Sequence, residues 1–140
     1  MTAFEAPTPT EPSWYVSRRI PVPTGDATRA LGAALRADVL PGAMDPTLAI
    51  DGVRYLRPGE VRGFTGRLDL GRLRGTARVE VQVEPWSRSE SAIGVRPIGR
   101  VPRARADRYF QRAIALIGSL ESVTRAWAAS PAPVEVRRAS

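Results

Sequence analysis

The stretch from Arg103 to Ala129 does most to limit what this chain can become. Its apolar residues are Tyr109, Phe110, Ala113, Ile114, Leu116, Ile117, Leu120, Val123 and Trp127, at the three-and-four spacing of one broad helical face. Arg108, Gln111, Arg112, Ser119, Ser122 and Arg125 fall on the opposite, polar face. Pro102 stands where a helix can start without losing a bonded N–H, and Pro131 where it must end. A helix of that span is roughly 40 Å long. A stripe so wide has to be covered, and the preceding residues must supply the sheet that covers it.

Those residues alternate as strands do. From Trp14 to Val22, the residues Trp14, Val16, Ile20 and Val22 share one side, Tyr15, Ser17 and Arg19 the other, and Pro21 and Pro23 end the strand. Arg18 falls on the apolar side. Asp26 is placed to cap a short helix reaching Ala37, with Ala27, Ala30, Leu31, Ala34 and Leu35 inward. Leu40-Pro41-Gly42 ends that helix, and Asp45-Pro46 keeps the chain out of another. Asp51-Gly52 predicts a two-residue hairpin pairing Ile50 with Val53 and Leu48 with Tyr55, and Pro58-Gly59 the next turn. In the strand from Val61 to Leu70, Phe64, Leu68 and Leu70 share a face on which Gly66 leaves room for a helix or a ligand.

Between Gly75 and Glu84, Ala77, Val79, Val81 and Val83 alternate with polar residues. The Gly71–Arg74 loop then sets Leu68 against Ala77 and Phe64 against Val81. A last strand, Glu90 to Ile98, matches Ile93 and Val95 to Val81 and Val79, with Trp86 in the preceding loop, Pro85 to Ser89. The order predicts an α+β fold: an antiparallel sheet of about six strands, with a short N-terminal helix and a long C-terminal helix on one face. One domain, residues 14–129, is expected, between Pro-rich tails at 1–13 and 130–140 that read as disordered.

Composition removes whole classes of chemistry. All 21 basic residues are Arg, the net charge is +7, and Cys and His are missing altogether. There is therefore no thiolate, no imidazole base or metal ligand, and no lysine for a Schiff base or phosphate loop. No metal and no cofactor is expected, and binding is favoured over catalysis. No apolar segment reaches the ~20 residues of a bilayer span, and the N-terminus lacks a signal-peptide pattern. The chain reads as cytoplasmic.

The early strand from Trp14 to Val22, the Ala-rich helix ending at Leu40-Pro41-Gly42-Ala43 and the long closing helix resemble the helix-grip fold of the SRPBCC superfamily. That superfamily includes START lipid-transfer domains, birch-allergen-like proteins and polyketide cyclases. The resemblance covers Trp14 to Ala129, rests on element order, and implies a domain that binds an apolar or amphipathic small molecule. It also allows a cyclase-like enzyme that uses Arg18 and Tyr55 as polarising groups.

Two constellations could carry such functions. Arg18 on the apolar face, with Tyr55, Phe64, Tyr109 and Trp127 around Gly66, could form an apolar pocket with one charged anchor; alternatively Arg18 pairs with an internal carboxylate and the aromatics are core. Arg96, Arg100, Arg103, Arg105, Arg108 and Arg112 collect at the last strand and the start of the long helix, where some oppose the helix dipole. They could serve a nucleic acid, an acidic protein partner or a membrane surface, or be a solvated face of an Arg-rich chain. Tyr109 and Phe110 point to the core, so base stacking is poorly served.

Overall fold

The computed structural model describes residues 15–37 and 47–129. The expected tails, and the breaks at Leu40-Pro41-Gly42 and Asp45-Pro46, lie outside the described residues. The elements are β1 (Val16–Ile20), α1 (Thr24–Arg36), β2 (Leu48–Arg57), β3 (Glu60–Asp69), β4 (Thr76–Pro85), β5 (Ser91–Pro97), a 3-10 turn (Arg103–Arg105) and α2 (Ala106–Ala128). The strands form one antiparallel sheet in the order β1-β5-β4-β3-β2, so β1 and β2 are its opposite edges. Both helices pack on one face, the α+β helix-grip arrangement that the element order predicts.

The alternating residues do what their period requires. Ala77, Val79, Val81 and Val83 of β4, with Phe64 and Leu68 of β3 and Ile93 and Val95 of β5, are buried beneath the helices. From α2 they meet Tyr109, Ala113, Leu116, Ile117 and Leu120. The helical face is rotated slightly from the sequence reading: Thr124 is fully buried, whereas Ile114 is 49% exposed. At ~1.5 Å per residue, the 23 residues of α2 span roughly 35 Å.

The β3–β4 register is the expected one, Leu68 opposite Ala77 and Phe64 opposite Val81. The β4–β5 pairing differs: Val81 faces Val95 and Val83 faces Ile93. Sliding a strand by two residues keeps every side chain on its own face, so alternation alone does not distinguish the two registers.

Asp51-Gly52 is not a hairpin, which makes the strands five rather than about six. β2 runs through it as a single strand with a bulge, Ile50 facing Gly66 and Gly52 facing Thr65, so that Asp51 is the extra residue. The bulge aims the Asp51 carboxylate at the outer face, where it accepts hydrogen bonds from Thr65 Oγ1 at 2.7 Å and Arg78 at 3.0 Å. The turn expected at Pro58-Gly59 is present and joins β2 to β3, with Gly59 at φ 80°.

Helix α1 starts at Thr24, two positions before the expected cap. Pro23 precedes it, and Asp26 pairs with Arg29 inside the first turn. Its buried side includes Gly32, where a Cβ would overlap the Gly59 carbonyl oxygen. The missing side chain is what lets α1 lie directly on the β2–β3 turn.

Candidate functional site

Arg18 keeps its place on the helix-facing side of β1, opposite Ile93. Its guanidinium donates to Glu121 of α2 at 2.9 Å, and the other Glu121 oxygen accepts from Arg125 at 3.1 Å. The hydrogen bond from Arg18 is the main cause that holds the Glu121 carboxyl below its ordinary range, with Arg125 adding to it against the opposing cost of burial. Arg18 is 46% exposed and Glu121 18%, so the pair sits at the margin of the core and the charge already has a partner.

The aromatic residues expected around Gly66 are dispersed. Phe64 and Tyr109 are fully buried in the core, and burial raises the Tyr109 phenol well above its ordinary value. Trp127 packs half-buried at the core margin. Tyr55 is 61% exposed on the edge strand β2, across the sheet from Arg18 on β1. The space beside Gly66 is filled by the neighbouring strand, since a Cβ there would lie 2.5 Å from the Ala49 carbonyl oxygen.

Arg96 separates from the other cluster residues. It lies on the outer face of the sheet, where Glu80 takes two bonds from it at 2.9 and 3.1 Å and a third from Arg54 at 2.6 Å. A groove of about 620 Å³ runs beside this clamp, lined by Tyr15, Glu80, Gln82, Glu84, Arg96, Pro97 and Ile98. The Tyr15 ring lies over Gly94, and its phenol is raised by burial first and by Glu84 second.

Of the remaining cluster arginines, Arg105, Arg108 and Arg112 converge on one feature, the turn Gly71-Arg72-Leu73-Arg74-Gly75 between β3 and β4. It closes with Arg74 N–H donating to the Gly71 carbonyl and Leu70 N–H to the Gly75 carbonyl, both at 3.0 Å. Asp69 adds a bond from Gly71 N–H at 2.9 Å. The amino-terminal part of α2 lies against this turn. A Cβ on Gly71 would stand 3.1 Å from Arg112 Nη2 and 3.9 Å from Arg108 Cζ, and one on Gly75 would stand 3.2 Å from Arg105 Nη1. Arg105 also donates to the Arg74 carbonyl at 3.2 Å. Beside it a pocket of about 230 Å³ is lined by Thr76, Arg78, Arg100 and Arg105 over Leu70, Ala77, Ile98, Val101 and Pro102.

Pairing separates the arginines into two groups. Arg18, Arg29, Arg54, Arg78, Arg96 and Arg125 each face a carboxylate within 4.0 Å. Among the described residues, the arginines in no ion pair include Arg72, Arg74, Arg100, Arg105 and Arg108 at this end, and also Arg19, Arg36, Arg57, Arg62, Arg67 and Arg88, which are spread over β1, α1, β2, β3 and the β4–β5 loop. Arg72, Leu73 and Arg74 are the residues that the reading of the sequence missed. Their signal was an apolar residue between two arginines inside a Gly-bounded turn, where a polar residue is usual. Among the described residues no group of His, Cys, Asp and Glu could hold a metal, and no helix is long and apolar enough to cross a membrane.

No family model matches the chain, and no curated protein matches it. Among solved structures it is similar to Ara h 8.0201, at 11% identity over 80% of this chain and 96% of that one, with a TM-score of 0.42. It is also similar to TTHA0849 from Thermus thermophilus, at 12% identity over 80% and 96%, with a TM-score of 0.41. A START superfamily protein from Mycobacterium smegmatis follows at 13% identity over 78% and 98%, with a TM-score of 0.32. At these values the likeness is one of overall arrangement, and no residue's role passes from those proteins to this chain.

Proposed function

We propose that this protein is a binding module without chemistry of its own, and that its working surface is the arginine-rich end, which takes an anionic partner. The observation that carries the reading is the gathering of Arg72 and Arg74 from the β3–β4 turn with Arg105 from the 3-10 turn and Arg108 and Arg112 from the long helix. A cluster of like charges at a helix N-terminus opposes the dipole and gains nothing for stability. Planar guanidinium groups suit bidentate contact with phosphate or carboxylate. The test is binding to fluorescein-labelled heparin followed by anisotropy across a salt series. Releasing counterions makes log K fall linearly with log salt, and replacing Arg72, Arg74 and Arg108 together by Gln should make that slope shallower by about 2 to 3. Unchanged affinity and slope in the triple variant would contradict the reading.

A second reading keeps an apolar or amphipathic ligand between the sheet and the long helix. It is favoured by Thr124, whose fully buried Oγ1 has no hydrogen-bond partner, one turn before the half-buried Trp127. Quenching or shifting of tryptophan emission by fatty acids, lost in Trp127→Phe, would support it.

A further inference from the structure

We propose that the arginine-rich end docks on an anionic phospholipid bilayer, with Leu73 as the residue that enters the interface. This rests on the anion-binding reading above and adds the partner. Leu73 stands at the apex of the turn, 99% exposed, with φ 64°. That is the left-handed region, which disfavours any residue with a Cβ and suits Gly or Asn. Leu73 buries nothing in this domain, so neither its conformation nor its packing accounts for a leucine there. One exposed aliphatic residue alone would be ordinary. The surroundings of Leu73 make it informative: Arg72 and Arg74 flank it, and Arg105 is tied to the Arg74 carbonyl behind it. Ile98, 42% exposed, lines the neighbouring pocket together with Arg100 and Arg105.

An aliphatic tip ringed by guanidinium groups matches the layering of a lipid surface. The apolar side chain goes below the phosphates while the cations stay level with them. Each arginine near an anionic leaflet strengthens attachment by roughly fivefold, and the effect fades within a Debye length. Heparin or a nucleic acid would engage the same charges but would leave Leu73 in water.

The test uses the full chain and phosphatidylcholine vesicles with and without phosphatidylglycerol. The protein should co-sediment only with the anionic vesicles. Leu73→Ser should weaken that binding by about tenfold, the effect of losing one inserted aliphatic side chain, and leave heparin binding unchanged. Arg72→Gln with Arg74→Gln should weaken both. Since the chain has no Cys, Leu73→Cys carrying an NBD label should blue-shift on the anionic vesicles. Ser87→Cys, in the loop at the far end of β4, should not. Heparin binding without vesicle binding, or full vesicle affinity in Leu73→Ser, would overturn the lipid proposal and leave the anion surface standing. Binding to poly-glutamate but not to vesicles would overturn it in favour of an acidic protein. Binding to none of these would remove both readings.

Discussion

The same substitution, Gly→Ala, should have opposite signs in the two helices. Helix propensity alone favours Ala over Gly by about 1 kcal/mol at an interior position. Gly118 in α2 has nothing within 4 Å of where a Cβ would stand, so Gly118→Ala should gain about 0.5–1 kcal/mol. Gly32 in α1 faces the β2–β3 turn, where a Cβ would overlap the Gly59 carbonyl oxygen and lie 2.8 Å from its carbon. Ordinary carbon contacts begin near ~3.5 Å, so helix and turn must part by roughly 1 Å. Neither can yield by rotating a side chain, because both contacting atoms are backbone. Overpacking of this kind costs about 3 kcal/mol at the upper end of its usual range, against the gain of about 1 from propensity. The net expectation for Gly32→Ala is a loss of about 2 kcal/mol, or roughly 10 °C in Tm for a domain of this size. Thermal and urea denaturation of the two variants decide it. If both shift stability in the same direction, α1 does not rest on the β2–β3 turn as described.

Three further outcomes follow from the packing and the charges. Ile117→Ala should lose about 2–5 kcal/mol because that side chain is fully buried, whereas Ile114→Ala should lose under about 1; urea titrations separate the two. Arg18→Met should cost only about 1 kcal/mol at neutral pH, since Arg18 is half exposed and Arg125 still faces Glu121. The folded Glu121 carboxyl lies below its ordinary 4.5, so the pair's contribution is complete above that value and is lost as pH falls through the lower, folded one. The difference between wild type and Arg18→Met should therefore shrink in acid, as melts down a pH series would show. Leu73→Gly should keep stability or raise it by up to about 1 kcal/mol, because left-handed strain is relieved while the unfolded chain gains freedom; differential scanning calorimetry checks this.

How far the sequence could be read depended on the range of each signal. The β3–β4 register was legible because two alternating faces and a short loop agree on it. The β4–β5 register was not, because period-two patterning does not register a slide of two residues. Asp51-Gly52 has the composition of a tight turn, but Thr65 and Arg78 on neighbouring strands hold Asp51 in a bulge, and a dipeptide does not reveal partners so distant in sequence. The arginines of the long helix stood out by their spacing. That Arg72, Leu73 and Arg74 complete the same surface depends on a turn some thirty residues earlier folding against that helix (~30, beyond the few residues over which helical spacing informs). Arg18 was legible as an inward-facing charge, and its Glu121 partner lies on the far side of the chain's whole sheet sequence.

On the proposed function, the anionic partner meets the β3–β4 turn and the start of the long helix. Two-dimensional ¹H–¹⁵N NMR during addition of inositol hexakisphosphate, a soluble polyanion, tests it most directly. Amide shifts should be confined to Gly71–Gly75 and Arg100–Arg112 and should be suppressed by added salt. Shifts confined to β1 and Glu121–Trp127, or none at all at low salt, would contradict it.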